Sequence, residues 1–157
     1  MADTKLAAIR ATGVAARSST VYPPEFAPVV SGRAKRALGD QFGLTQYGVN
    51  FTVLAPGASS ALRHWHAEED EFVYVIEGDL VLIDDQGAHA LTAGMCAGFK
   101  AGVANGHKLE NRSGNNASYL EIGTRSPEET ANYPDVDLIG IKTGGKFAFT
   151  RKDGTAV

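Results

Sequence analysis

The chain has 157 residues, and its 15 basic and 18 acidic side chains give a net charge of −3, so there is no basic excess to attract nucleic acid. Hydrophobic residues make up 43% of the chain and charged residues 21%, which is typical of a folded domain and excludes a disordered tail protein. The length favours a single domain, and the longest aliphatic and aromatic run, residues 72–76, is too short to cross a membrane.

The first 44 residues contain few signs of regular secondary structure. Residues 1–20 are rich in Ala, Ser and Thr without a clear period, which predicts a poorly ordered N-terminal arm. Residues 21–44 contain three prolines, whose fixed φ angle favours an extended path along the surface. The basic cluster Arg33, Lys35 and Arg36 is interpreted as a solvated loop or an edge strand.

The cellular location is predicted from two features. Arg10 interrupts the N-terminal apolar residues, so they do not form the unbroken core of a secretory signal. The single cysteine, Cys96, cannot form a disulfide within the chain, which fits a reducing compartment. We therefore expect a cytoplasmic protein.

Short strands separated by Gly, Asn and Asp turns are predicted from residue 44 onwards. The predicted strands are 44–54, 62–66, 71–77, 80–83, 88–92, 106–111, 117–123 and 146–150. Turn signals every 8–12 residues or so indicate an all-β sandwich or barrel rather than alternating strands and helices. Residues 126–129 carry the start signals of one helical turn, which Pro134 would soon end.

The histidines provide the strongest indication of chemistry. His64 and His66 are two residues apart on a predicted strand, so both side chains lie on one face. Glu71 begins the next predicted strand, and a tight reversal would bring its carboxylate opposite both imidazoles. With His107 downstream, three imidazoles and one carboxylate suit a divalent first-row transition metal. His89 lies between two alanines without a partner in the pattern and is interpreted as a surface residue.

Two linked motifs extend this pattern. They read Gly57-x6-His64-x-His66-x4-Glu71-x6-Gly78, then Gly94-x5-Lys100-Ala101-Gly102-x4-His107-x3-Asn111. Taken singly, a histidine pair or a glutamate at a turn is most often solvated, but the full arrangement resembles the paired motifs of the cupin superfamily. The resemblance covers residues 57–111. It implies a double-sheet jelly-roll barrel with an extended N-terminal arm, in which residues 21–157 form the single cupin domain.

The resemblance also implies a metal site. By position, the cupin metal ligands correspond to His64, His66, Glu71 and His107, which would hold one divalent transition metal ion per chain. The sequence does not distinguish Fe, Mn, Zn, Ni or Cu. Lys100 stands where most relatives have Pro, a change that concerns local rigidity and leaves the four ligand positions intact.

A site with three histidines and one glutamate leaves about two coordination positions open for a small-molecule substrate. This allows a dioxygenase, which is an oxidoreductase, or an isomerase of a sugar or other hydroxy-carbonyl compound. A non-enzymatic metal-containing sensor or binding module is the alternative. For an enzyme, Glu121 and Tyr119 are the candidate catalytic residues, because both lie on one face of a predicted strand; an outer-face salt bridge is the other interpretation of Glu121.

A homodimer is also predicted. The extended arm before residue 44 has few local partners, and adding a strand to the sheet edge of a second chain would satisfy its backbone. The resemblance supports this prediction, because cupins commonly pair in this way.

Overall fold

A computed structural model describes residues 7–157, and within them the chain forms twelve β-strands. The strands are β1 (Arg33–Ala37), β2 (Tyr47–Leu54), β3 (Trp65–His66), β4 (Glu71–Glu77), β5 (Asp79–Asp84), β6 (Gly87–Thr92), β7 (Cys96–Phe99), β8 (Lys108–Glu110), β9 (Ala117–Thr124), β10 (Glu129–Tyr133), β11 (Leu138–Thr143) and β12 (Lys146–Thr150). Short 3₁₀ helices span Ala11–Gly13, Ala27–Val30 and Gly39–Phe42. In the described residues, no helix combines the length and the hydropathy that a membrane crossing needs.

The strands form two facing layers. One layer is a five-stranded sheet in the order β1-β2-β9-β4-β7. The other combines the sheets β12-β11-β10-β3 and β6-β5-β8, which are linked by bridges from Ser59 to Glu110 and from His64 to His107. This confirms the predicted all-β, double-sheet jelly-roll barrel.

Alternation along β4 and β9 determines which side chains face the barrel interior. Val73 and Val75 on β4 are buried, whereas the intervening positions Phe72, Tyr74 and Ile76 are 41–42% exposed. Tyr119 on β9 lies opposite Val75, and Glu121 lies opposite Val73. Because directly opposed residues in an antiparallel pair share a face, Tyr119 and Glu121 point into the barrel.

The basic cluster lies on an edge strand, which was one of its two interpretations. In β1, Arg33 is opposite Leu54 and Lys35 is opposite Thr52, and both partners are completely buried. Arg33 and Lys35 therefore point into the barrel rather than into solvent. Arg36 has the opposite parity, and its guanidinium lies 5.8 Å from the ring centre of Phe51 on the outer face.

The N-terminal segment packs against its own sheet. Arg17 and Lys35 exchange two backbone hydrogen bonds, of 2.8 and 2.9 Å. Residues 21–44 include two 3₁₀ helices and β1, so their path is less extended than the prolines predicted. Residues 1–6 of the predicted arm lie outside the described residues, and the boundary at residue 20 stays a prediction.

The helical turn predicted at residues 126–129 is wrong. Residues 126–128 are irregular, and Glu129 begins β10. The buried carboxylate of Glu129 accepts hydrogen bonds from the backbone N–H groups of Ala67 and Glu68, which fixes this residue beside β3. A contact between residues about 60 positions apart therefore overrides the local helix signal.

One motif glycine has a clear steric role. Gly78 connects β4 to β5 with a φ of +81°, a conformation that favours glycine. A Cβ atom at this position would lie 2.9 Å from the Cα and Cβ atoms of Ala117. The turn therefore lets β4 and β5 approach the start of β9.

Candidate metal centre

The fold brings the four predicted metal ligands to one place in the barrel. His66 lies in β3, Glu71 begins β4, and His107 immediately precedes β8. His64 and His107 are joined by two backbone hydrogen bonds of 3.1 and 2.8 Å, which place their side chains next to each other. All four residues line one cavity of about 330 Å³ between the two layers.

The imidazoles converge on a single carboxylate oxygen. Oε2 of Glu71 lies 2.9 Å from Nε2 of His107, 3.7 Å from Nε2 of His66 and 4.0 Å from Nε2 of His64. Ligand atoms of His64, His66 and Glu71 all lie within 4.8 Å of one another. His107 is outside this closer group and contacts Glu71 directly, and the three imidazole nitrogens and one carboxylate oxygen form a donor set that suits a divalent transition metal.

Neighbouring groups hold the imidazole rings in place. Nδ1 of His64 lies 2.8 Å from the carbonyl oxygen of Leu62, and donation there leaves the Nε2 lone pair directed at the cluster. Phe99 stacks on His107 with ring centres 3.5 Å apart and an interplanar angle of 2°. Tyr133 packs against the ring of His64 at 5.8 Å. These contacts preorganise the cluster.

A buried glutamate lies behind the cluster, and the sequence analysis missed it. The Glu129 side chain is completely buried, and Ala67 N–H and Glu68 N–H donate to it at 2.8 and 3.0 Å. Its Oε1 atom lies 3.7 Å from Nδ1 of His66, a buried nitrogen without a hydrogen-bond partner among the described residues. Glu129 therefore faces the side of His66 that points away from Glu71.

The electrostatics of the cluster favour metal ligation. Burial lowers the pKa of His64 to about 4, and the negative charge of Glu71 offsets only part of this effect. Burial alone would raise the pKa of Glu71, but the hydrogen bond from His107 and the charges of the three neighbouring imidazoles together outweigh burial and hold that pKa below its usual range. At neutral pH the cluster thus contains an ionised carboxylate and a neutral His64 with a free lone pair.

The two candidate catalytic residues line the same cavity. Burial raises the pKa of Tyr119 well above its ordinary value, and the negative charges of Glu121 and Glu71 add to this effect. Tyr119 therefore stays a neutral phenol. Glu121 has its Oε1 atom 2.7 Å from Nζ of Lys35 and 3.2 Å from Nδ2 of Asn50. The predicted salt bridge of Glu121 exists, but it lies inside the barrel.

The other end of the cavity carries basic and aromatic residues that the sequence analysis did not assign to it. Arg33 and Lys35 line this end from β1, together with Ser19 and Thr20 from the N-terminal segment. The remaining wall is aromatic and is formed by Tyr22, Tyr133, Phe147 and Phe149. The side chains of Arg33 and Lys35 face the cavity because of the register between β1 and β2. The sequence of β1 alone does not show which of its faces points inward.

His89 and Asn111 have roles outside the cluster, whereas Lys100 lines a separate cavity of about 220 Å³ together with His66 and His107. His89 pairs with Asp84 at 2.9 Å, and its side chain is 43% exposed. Asn111 is buried and donates to the carbonyl oxygens of Leu54 and Asn115, so it holds the turn after β8. Lys100 is exposed, while Gly102 N–H nearby donates to the carbonyl oxygen of His66 at 2.9 Å.

Fold and site together define a jelly-roll barrel with a small-molecule cavity and a histidine–glutamate cluster. A family model described as the cupin domain matches residues 50–123. A structure of a cupin-superfamily sugar phosphate isomerase from Silicibacter pomeroyi matches with 47% identity over 96% of each chain and a TM-score of 0.92. The chain belongs to the cupin superfamily.

Two further solved structures are less similar. A proposed sugar phosphate isomerase from Acidithiobacillus ferrooxidans is 26% identical over 80% of each chain, with a TM-score of 0.73. A polyketide cyclase from Streptomyces resistomycificus is 20% identical over 76% of this chain and 79% of that chain, with a TM-score of 0.62, and shares the fold. No curated protein matches the chain at a significant level.

Proposed function

We propose that this cupin is a metal-dependent isomerase of a sugar or related hydroxy-carbonyl compound. In the proposal His64, His66, Glu71 and His107 hold one divalent transition metal ion. The observation that carries it is the convergence of three Nε2 atoms on the Glu71 carboxylate, inside a cavity that also contains Glu121 and Tyr119. The name of the 47% identical relative, a sugar phosphate isomerase, supports the same reaction class.

The chain's own residues supply the proton transfer. The bound metal would act as a Lewis acid that stabilises negative charge on substrate oxygen. The Glu121 carboxylate takes the proton from the carbon next to the carbonyl, and that C–H electron pair forms the double bond of an enediol. The carbonyl electron pair moves onto its oxygen, which takes the proton of the neighbouring hydroxyl group. Glu121 then returns its proton to the former carbonyl carbon while the other oxygen forms the new C=O bond, so an aldose becomes a ketose without an external oxidant or reductant.

The neighbouring side chains assist this transfer. The Tyr119 phenol is neutral and lines the cavity, so its hydroxyl can donate a hydrogen bond to a substrate oxygen. Val73 lies beside Glu121 and gives the cavity an apolar wall. Such a wall limits water around the reacting carbons and strengthens electrostatic interactions there.

The proposal is tested with the protein loaded in turn with Mn²⁺, Fe²⁺, Zn²⁺, Ni²⁺ and Cu²⁺. Aldose and ketose sugars, with and without phosphate, are incubated with each form in D₂O and followed by ¹H NMR. We expect interconversion of one aldose–ketose pair, with deuterium entering at the carbon next to the carbonyl. Oxygen consumption would instead indicate the dioxygenase, and saturable ligand binding without turnover would indicate the sensor.

We also propose that the chain forms a homodimer; because the N-terminal segment pairs with β1 of its own chain, we assign the contact to the outer face of the five-stranded sheet rather than to an added arm strand. Phe72, Tyr74 and Ile76 form an apolar row there, and monomers rarely leave such contiguous patches exposed. A two-fold axis would pack this row against the same row of a second copy. Light scattering should give about twice the 16.5 kDa chain mass. Tyr74→Glu should lower the measured mass, whereas Ile141→Glu on β11 should not. A wild-type mass near 16.5 kDa contradicts the dimer.

The cytoplasmic location stays a prediction.

A further inference from the structure

The β1 end of the cavity has the chemistry of an anion site. We propose that Arg33 and Lys35 bind the phosphate group of a phosphorylated sugar, and that this draws Lys35 away from Glu121 and frees the base. The inference rests on the proposed isomerase function. It adds the residues that recognise the substrate and a link between recognition and proton transfer.

Arg33 is half-buried and has donors that the protein does not use. Its Nη1 atom donates to the carbonyl oxygen of Ser60 at 2.6 Å. Its Nε atom is buried and has no hydrogen-bond partner among the described residues. A buried donor without a partner is uncommon in folded proteins and calls for a ligand or water. The planar fork of a guanidinium matches the oxygens of a phosphate.

The surroundings of Arg33 and Lys35 reinforce the positive charge. A second cavity of about 300 Å³ shares both residues with the main cavity and adds Arg17. The one carboxylate lining this second cavity is Asp40 among the described residues, and its Oδ1 atom already accepts a hydrogen bond from Arg125 at 2.6 Å. An anion entering from this side therefore meets three cations.

The sheet geometry sets the length of the substrate. Glu71 is on β4, and Lys35 is on β1, with β2 and β9 between them. Three strand spacings correspond to about 14 Å between the two backbones, a gap that the side chains on both sides shorten. The cavity thus suits a molecule with its carbonyl at the histidine cluster and its phosphate at the far end of the carbon chain.

Lys35 connects the phosphate end to the candidate base. Its Nζ atom lies 2.7 Å from Oε1 of Glu121, and both side chains are partly exposed to the cavity. A phosphate dianion competes with the Glu121 carboxylate for this ammonium group. Once Lys35 turns towards phosphate, Glu121 keeps only the hydrogen bond from the Asn50 amide, so its Oε1 atom has a lone pair free to accept a proton from the substrate.

Strand β1 supplies a matched set of variants. Arg33→Gln and Lys35→Gln each remove one cation from the cavity, while Arg36→Gln removes the same charge from the outer face. Binding of inorganic phosphate is measured by calorimetry on the metal-loaded protein and again after chelation, since phosphate can also bind the metal. We expect at least tenfold weaker binding for Arg33→Gln and Lys35→Gln in both forms, and wild-type binding for Arg36→Gln.

Folding and metal content are checked in every variant by circular dichroism and elemental analysis. Arg33→Lys, which keeps the charge but loses the fork, should bind phosphate with intermediate affinity. Undiminished binding in Arg33→Gln and Lys35→Gln, or an equal loss in Arg36→Gln, would overturn the phosphate site. The same applies if phosphate binds only when metal is present.

Kinetics test the link to Glu121 and separate this inference from the isomerase proposal. A phosphorylated sugar should have a higher kcat than its unphosphorylated counterpart, and Lys35→Gln should remove most of that difference. Equal kcat values for the two sugars would overturn the link. Phosphate binding that depends on Arg33 and Lys35 without any isomerisation would refute the isomerase alone. If the isomerisation rate is the same with and without the phosphate group on the sugar and is unchanged in Arg33→Gln, the phosphate site alone is refuted.

Discussion

The two ends of the cavity are assembled in different ways. At the histidine end, the four proposed ligands lie within residues 64–107, and hydrogen-bond and aromatic contacts hold the rings of His64 and His107. The β1 end depends on pairings distant in sequence, such as the ion pair between Lys35 and Glu121, which are 86 positions apart. Ligands to a metal must be held in advance, whereas an ion pair on the cavity wall can exchange partners when an anion arrives.

The largest expected effect concerns the histidine end. His64→Ala, His66→Ala and His107→Ala should each reduce bound metal from about one per chain to a small fraction, because each removes one of four ligands. Glu71→Gln should weaken binding by removing the only anionic ligand. Elemental analysis of the purified variants gives the measurement, and the chelated protein should stay folded on its own apolar core.

His89→Ala is the matched control for these variants. His89 lies on β6 and pairs with Asp84, away from the cluster. A loss of metal in His89→Ala as large as that in His66→Ala would contradict the ligand assignment.

The next effect concerns Glu121, the candidate base that pairs with Lys35. Glu121→Gln should lower kcat by roughly 10²–10⁴-fold at unchanged metal content, the usual contribution of a general base. Glu77→Gln, on an exposed position of β4, provides a control that keeps the wild-type rate. An unchanged kcat in Glu121→Gln would show that Glu121 is not the general base and that it only forms the ion pair with Lys35.

The third effect concerns Glu129, whose carboxylate faces the ring nitrogen of His66 that points away from Glu71. Glu129→Gln should weaken Zn²⁺ or Mn²⁺ binding about 10–100-fold, because carboxylates facing the outer nitrogen of a ligand histidine orient it and raise its basicity. Affinity is measured by competition with a chelator, with Glu128→Gln as an exposed control. Lower thermal stability with unchanged affinity would assign Glu129 to the fold alone.

The same contrast explains what the sequence could predict. Spacing and alternation within one strand predicted that His64 and His66 share a face, and the motif resemblance predicted the jelly roll. The edge strand that carries Arg33 and Lys35 is one of the two interpretations of the basic cluster, but the inward orientation of both side chains follows only from pairing with β2. The local start signals at residues 126–129 allow a helical turn, whereas Glu129 begins a strand because its partners Ala67 and Glu68 lie on a distant turn. Contacts that depend on register between distant strands have no local signal.

The smallest effect concerns the outer side of the histidine strand. Arg63 alternates with His64 and points outward, where it binds Asp85 and Asp135. The hydrogen bond from Arg63 lowers the pKa of Asp135, so the ionised form is favoured in the folded state. Asp135→Asn should therefore lower the free energy of unfolding at pH 7 by only about 0.5 kcal/mol, as expected for an exposed ion pair.

The pH dependence of this effect follows from the direction of the pKa shift. A carboxylate with a lowered pKa in the folded state stabilises the protein above its unfolded pKa of about 3.9, and the contribution disappears as the pH falls through the folded pKa. Urea unfolding of the wild type and Asp135→Asn should therefore give a smaller difference at pH 3 than at pH 7. An equal difference at both values would mean that the Arg63–Asp135 contact acts through packing rather than charge.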